Sequence, residues 1–196
     1  MDPNDIRILK LLEALEADPG PSQRDLAEQL NVSLGLVNSF LKRLARKGYF
    51  KVTHIPKNRV RYILTPKGAI EKSRLTYEYI AYSVAFYREA RQRFRSLFKV
   101  LHKTGVRSVI LYGVSELAEI AYISIHEFSI RIEAIIDDDQ TVETLMGIRI
   151  QSPERLDWQG DAPVVLTGLN EKNRAFHRLV SLGVDAGRII QVHQVQ

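Results

Sequence analysis

The feature that most limits how this chain can fold is a long segment without helix breakers. Between Gly68 and Gly105 the sequence contains neither glycine nor proline, and apolar residues recur at helical spacing. This pattern predicts a single long helix, within residues 66–104, that links or dimerises the chain. Such a helix is longer than a small domain is wide, so we expect separate domains at 1–65 and 105–196.

Within this helix, apolar residues repeat every seven positions in two series. The series are Ile70, Tyr77, Val84, Arg91 and Phe98, and Ser73, Ile80, Tyr87, Phe94 and Leu101. Only Ser73 and Arg91 interrupt the apolar stripe, which predicts a coiled-coil-like pairing of two copies in a homodimer. The alternative is that the stripe packs against the chain's own domains.

The residues before the long helix predict three short helices and a β-hairpin. A Pro-Gly-Pro turn at 19–21 ends the first helix, and Ser22 with Asp25 three positions later predicts a capping box for the second. Ser33 is placed to cap a third helix, which Gly48 ends. Strands are predicted at 49–53 and 60–64. This order predicts a helix-turn-helix followed by a wing, an α+β arrangement.

Three runs in this region make the pattern more specific. They are Asp25-Leu26-Ala27-Glu28-Gln29-Leu30, then Leu44 with Lys47-Gly48-Tyr49, and Leu64-Thr65-Pro66-Lys67-Gly68. Together they resemble the winged-helix domain of MarR-type transcriptional regulators over residues 23–68. The resemblance implies a DNA-binding regulator, a dimer that presents two third helices to double-stranded operator DNA.

The third helix supplies the candidate DNA-reading surface. If Val37, Leu41 and Leu44 face inward, its polar side chains face outward, where a helix in the major groove meets base edges and phosphates. The resemblance adds the basic tip of the wing, which in such regulators reaches the minor groove or its flanking phosphates. The candidate DNA contacts are Ser33, Gly35, Leu36, Asn38, Ser39, Lys42, Arg43, Arg46, Lys57, Arg59 and Arg61.

Charge divides the chain in the same way. Through Thr104 there are 20 Lys and Arg against 10 Asp and Glu, and the remainder has 8 against 13, consistent with the net charge of +5. A basic front half favours a polyanionic partner. With no cysteine, an acidic polar start and no apolar run of membrane-spanning length, we expect a cytoplasmic protein without disulfides or thiolate metal sites and no membrane partner.

The residues after the long helix alternate between apolar strands and amphipathic helices. A strand at 106–112, a helix at 116–127 and a strand at 130–136 form a predicted βαβ unit, with further strands near 147–150, 162–167 and 188–192. This alternation predicts an α/β domain with a Rossmann-like parallel sheet.

The turn after the first of these strands matches a dinucleotide fingerprint only in part. Gly113 and Ala118 fit the first and last positions, but Ser115 replaces the middle glycine, and Asp137 stands where a ribose-binding acid belongs. A Tyr-Gly start, an Ile-Ile-Asp-Asp-Asp run and a later Met-Gly-Ile-Arg-Ile segment are similar to the Rossmann-like domain of bacillosamine-type sugar acetyltransferases. The resemblance implies a nucleotide or nucleotide-sugar effector, and a link to surface-polysaccharide genes. The candidate ligand contacts are Gly113, Val114, Ser115, Glu116, Asp137, Asp138 and Thr167.

Three alternatives remain open. In the first, the back domain is a structural domain without a ligand. In the second, the protein is an NADH-responsive redox repressor, although Ser115 argues against it. In the third, the protein is a nucleotide-sugar-modifying enzyme, or its subunit, and uses its winged helix for protein contact. Neither a complete nucleophile elbow at 113–117 nor a Tyr-x-x-x-Lys pair is present, and the histidines lack metal-ligand spacing. We therefore expect no catalytic residues and no metal.

Overall fold

The chain folds into two units, Met1–Ala85 and Phe86–Gln196. The long helix is present as predicted: α4 spans Pro66–Lys103 and contributes residues to both units. The computed structural model describes residues 1–18, 20–55, 59–139, 142–156, 158, 160–168 and 172–192.

The front unit has the predicted three helices and hairpin. Helices α1, α2 and α3 span Pro3–Ala17, Gln23–Gln29 and Leu34–Arg46. Strands β1, Phe50–Ile55, and β2, Arg59–Leu64, pair antiparallel. This order is that of a helix-turn-helix with a β-hairpin wing.

Local hydrogen bonds explain where these helices begin and end. The Ser22 backbone N–H donates to the Asp25 carboxylate at 2.9 Å, and the Asp25 N–H donates to the Ser22 hydroxyl at 3.2 Å, which confirms the capping box. The Ser33 hydroxyl accepts from the Leu36 N–H at 3.3 Å and caps α3. Gly48 follows α3 with a φ of +76°, a conformation that favours glycine.

The front core forms between the three helices, the hairpin and the start of α4. Val37, Leu41 and Leu44 are buried there, as predicted, together with Phe40. At the start of α4, a Cβ on Gly68 would lie 1.9 Å from the Tyr49 carbonyl oxygen. Only glycine therefore fits where α4 packs against the end of the helix-turn-helix.

The back unit is an α/β domain with a six-stranded sheet in the order β5-β6-β4-β3-β7-β8. Among the described residues, every strand pairing in this sheet is parallel except that of β5 with β6, which confirms the predicted parallel sheet. The elements are β3 Ser108–Tyr112, α5 Glu116–Ile125, β4 Arg131–Ile136, β5 Thr144–Leu145, β6 Ile148–Gln151, β7 Val164–Leu166, α6 Lys172–Ser181 and β8 Ile189–Gln191. Strand β5 was not predicted; it forms a tight hairpin with β6, in which Met146 and Gly147 have φ of +50° and +80°.

Successive residues of β3 point alternately to the two faces of this sheet. Val109 and Leu111 belong to a core shared with α5 and the last turns of α4, whereas Ile110 and Tyr112 belong to a core shared with α6. The sheet is thus buried on both faces, as parallel sheets usually are.

The predicted heptad stripe of α4 is wrong in its second half. Phe94 and Phe98 are 0% exposed and Leu101 is nearly so, because all three pack in the back unit's own core. Toward the start of the helix, Ile70 and Tyr77 remain 71% and 75% exposed. The exposed part of the stripe therefore ends at Tyr87.

Candidate nucleic-acid interface and effector cavity

One face of α3 is polar, basic and exposed. Because Val37, Leu41 and Leu44 anchor the opposite face in the core, five predicted contacts point away from it. The exposed residues are Gly35, Ser39, Lys42, Arg43 and Arg46. The helix carries no acidic side chain, so this face offers hydrogen-bond donors and positive charge to an anionic partner.

The other predicted residues of α3 occupy intermediate positions. Leu36 and Asn38 are half-buried, and Leu36 packs against the front core. Ser33 is exposed, but its hydroxyl is used as the cap of the helix. The Arg43 guanidinium lies 4.9 Å from the centre of the Phe40 ring, which holds this cation beside the helix.

Gly35 is in the first turn of α3 although the fold does not require glycine there. A Cβ built at this position meets no atom of the described chain within 4 Å. Glycine in a helix costs about 0.5–1 kcal/mol relative to alanine. The front unit thus carries a small loss of stability at an exposed position in the first turn of α3.

The wing contributes two of its three predicted residues to the described structure. Arg59 begins β2, and Arg61 is exposed on the same strand, where its carbonyl oxygen accepts from the Thr53 hydroxyl at 3.3 Å. Lys57 lies outside the described residues. Sequence reasoning missed Leu34, the first residue of α3, which is 42% exposed; an apolar side chain outside the core pattern was the available signal.

The back unit has a second candidate site, an open cavity of about 1060 Å³ at the carboxyl ends of β3 and β4. Six of the seven predicted ligand residues line it: Gly113, Val114, Ser115, Glu116, Asp137 and Asp138. Unpredicted lining residues come largely from the β5–β6 hairpin and from α6. They are Tyr112, Glu119, Asp139, Val142, Thr144, Leu145, Met146, Ile150, Leu166, Gly168, Arg174 and Ala175.

Thr167, the seventh predicted residue, is fully buried and holds the loops after β3 and β7 together. Its hydroxyl donates to the Gly113 carbonyl oxygen at 2.5 Å, and the Ser115 hydroxyl donates to the Thr167 carbonyl oxygen at 2.5 Å. Gly113 has a φ of +99°, and a Cβ there would lie 2.5 Å from the Gly168 nitrogen. These contacts hold the two loops together at the edge of the cavity.

Asp137 and Asp138 are both held by hydrogen bonds at the rim. The Val114 N–H donates to Asp137 Oδ2 at 2.5 Å, and the Tyr112 hydroxyl donates to Asp138 Oδ2 at 2.6 Å. Burial, and then the contact with Asp138, raise the pKa of the Tyr112 phenol, which therefore stays protonated as a donor. The Nε atom of Arg178 lies 3.5 Å from Asp138 Oδ1.

Among the described residues, no group of three or more His, Asp or Glu side chains has an arrangement that could hold a metal ion. No helix in the described part of the chain has the length and apolarity needed to cross a membrane.

Comparison with known proteins identifies the front of the chain. Residues 1–51 match the family model for winged helix-turn-helix DNA-binding domains, which confirms the predicted helix-turn-helix. No curated protein matches the chain.

Solved transcription regulators are similar to part of this chain. The PcaV transcriptional regulator of Streptomyces coelicolor in complex with its natural ligand is 23% identical over 45% of this chain and 62% of its own, with a TM-score of 0.39. The Staphylococcus aureus MepR–DNA complex is 22% identical over 44% and 62%, with a TM-score of 0.38. ZitR of Lactococcus lactis, a zinc-responsive MarR family member, is 24% identical over 44% and 60%, with a TM-score of 0.35. The chain thus spans about three fifths of the length of these relatives.

Proposed function

We propose that this chain is a dimeric, MarR-type DNA-binding transcriptional regulator whose Rossmann-like back unit binds a small effector. The observation that carries the proposal is the exposed basic face of α3 in a winged helix-turn-helix, with the opposite face fixed in the core. Placed in a major groove, α3 offers Ser39 and the half-buried Asn38 to base edges, and Lys42, Arg43 and Arg46 to phosphates.

DNA binding is tested by a mobility-shift assay on the DNA upstream of the protein's own coding region. Lys42→Ala combined with Arg59→Ala is expected to abolish the shift at physiological salt. At low salt, where residual binding is measurable, it is expected to lower the dependence of log K on log salt by about 2. Lys99→Ala with Lys103→Ala is the control, because it removes the same charge from exposed positions of the back unit. Equal losses in the two double variants would mean that only net charge matters, and intact binding would reject α3 and the wing as the reading surface.

An apolar belt on α4 supports the dimer. We define the belt as the large exposed apolar residues of the seven-residue repeat, which share one face of α4: Ile70, Tyr77, Ile80, Val84 and Tyr87. Because apolar residues repeat every seven positions along this face, a second copy of the same helix is a suitable occupant.

The dimer is tested by sedimentation of an α4 variant. Ile80→Glu is expected to give monomers and to weaken operator binding, because a charge cannot be buried unpaired in the interface. Ser96→Glu, on the same helix outside the belt, is the control and should remain dimeric. A dimeric Ile80→Glu protein would reject the belt as the interface.

The strand order supports a Rossmann-like back unit. The chain runs from β3 to β4 and β6 on one side and then crosses to β7 and β8 on the other, the reversal at which such sheets bind ligands. A thermal-shift panel with NADH, UDP-sugars and CoA tests the nucleotide, nucleotide-sugar and redox hypotheses, because a ligand that prefers the native state raises the midpoint. Turnover of a UDP-sugar would instead favour the enzyme alternative.

A further inference from the structure

The turn before α5 already binds an anionic group of the protein, the Asp137 carboxylate. Asp137 Oδ2 accepts from the Val114 N–H at 2.5 Å, and Oδ1 accepts from the Asp139 N–H at 2.8 Å. Backbone N–H groups between a strand and a helix N-terminus are the donors that a ligand phosphate would use. Here the Asp137 carboxylate takes one of these donors.

The other charged side chains in the described lining are also acidic, with one exception. Glu116 and Glu119 come from the first turns of α5, where they already complement the positive end of the helix dipole. Asp138 and Asp139 line the same cavity, and Arg174 is the one basic side chain in the described lining. Within the described lining, a pyrophosphate would thus meet five carboxylates and one guanidinium, with a second guanidinium, that of Arg178, beside Asp138.

The lining also contains an apolar group of residues, which comes from the β5–β6 hairpin and the residues before it. The β5–β6 hairpin supplies Leu145, Met146 and Ile150, and Val142 precedes it. A fitting ligand therefore combines an apolar body with hydrogen-bond donors or positive charge.

We propose that Asp137 substitutes for a ligand phosphate, and that the cavity binds a phosphate-free ligand carrying an ammonium group. The inference rests on the proposed role of this cavity as an effector site. The ammonium group would donate to the carboxylates of Glu116, Glu119 and Asp139, while the body of the ligand packs against the hairpin.

The first test is a gain of phosphate binding. In the full chain, Asp137→Ala removes one charge and releases the Val114 N–H, so ADP is expected to raise the unfolding midpoint of this variant and leave that of the native protein unchanged. Asp137→Val also removes both the charge and the acceptor, and it serves if the alanine variant fails to fold. Asp161→Ala, an exposed acid outside the cavity lining, is the charge-matched control and should not respond.

Two outcomes of this test overturn the proposal. One is a native protein that ADP stabilises as much as it stabilises the Asp137 variants. The other is no response in any protein, because the vacated turn is expected to accept phosphate.

The second test compares amines with their acetylated forms. Glucosamine and tyramine are expected to raise the native midpoint more than N-acetylglucosamine and N-acetyltyramine, and Glu116→Gln with Glu119→Gln should remove the difference. Equal shifts for amine and amide, or no shift from either amine, reject the ammonium preference. Operator binding in the mobility-shift assay is independent of these readouts, so the two proposals fail separately.

Discussion

Gly35→Ala is expected to stabilise the protein and weaken its binding to DNA. A Cβ at this position meets no atom of the described chain within 4 Å, so the added methyl group costs nothing in the free protein. Replacing a helical glycine gains about 0.5–1 kcal/mol, since alanine loses less backbone entropy on folding. For a transition of the front unit alone, this gain raises the unfolding midpoint by roughly 2–8 °C.

The same methyl group would stand between α3 and the DNA. Forcing an extra methyl into a close-packed contact costs about 1–3 kcal/mol, which is roughly a 5- to 150-fold increase in Kd. Fluorescence anisotropy on the labelled upstream DNA measures Kd, and circular dichroism measures the midpoint on the same preparations. The signature is that stability rises while DNA affinity falls, so the midpoint and Kd both increase.

Two glycines provide controls. Gly160→Ala adds a methyl group in similarly open space in the back unit and should leave Kd unchanged. Gly68→Ala places a Cβ 1.9 Å from the Tyr49 carbonyl oxygen and should destabilise the front unit. The reasoning is refuted if Gly35→Ala raises the midpoint and leaves Kd unaltered, because α3 would then not approach DNA through its first turn.

Further predictions concern packing, strain and pH. Phe98→Ala should cost the back unit about 3–5 kcal/mol in chemical denaturation and leave its sedimentation unchanged, because the ring is buried in that unit's own core. Gly113→Ala should destabilise the same unit by about 1–3 kcal/mol, because φ is +99° and its Cβ would clash with Gly168; an unchanged denaturation midpoint would contradict this. Hydrogen bonds from the Ser22 side chain and backbone lower the pKa of Asp25 from its ordinary value of 3.8. Their contribution is present above about pH 4 and is lost as pH falls through the lowered pKa, so Asp25→Asn should flatten the acid limb of a stability–pH curve.

The front unit was predictable because its signals are local. The capping box at Ser22 and Asp25, the cap at Ser33 and the glycine at Gly48 each act within a few residues, so their spacing in the sequence is nearly their geometry. The same holds for α4, since no residue between Gly68 and Gly105 breaks a helix.

The heptad stripe shows what such local signals leave open. Periodicity identifies an apolar face, but it does not say what covers that face. Tyr77 and Ile80 remain exposed, whereas Phe94 and Phe98, which continue the same repeat, pack on a sheet whose strands come later in the chain. The outcome depends on contacts distant in sequence.

The candidate cavity was predicted only in part, because its geometry also depends on contacts that are distant in sequence. The loop after β3 and the end of β4 were identified from strand and turn patterns, and Asp137 was placed at the rim. Its bond to the Val114 N–H, and the buried position of Thr167, depend on how separate loops approach one another. Arg174 was missed because its helix joins the rim only through the folded sheet.

The loops at Gly113 and Gly168 are in close contact, so the two walls of the cavity differ in how well they tolerate mutation. On the β3–β7 side, almost any added atom separates loops that share hydrogen bonds, so that wall resists variation. The β5–β6 hairpin is held to β4 through the pairing of β6, but its tip lies beyond that pairing, and Met146 is exposed there at a tight turn. Changes in ligand preference, whether bred in the laboratory or accumulated between related species, should therefore concentrate in the hairpin.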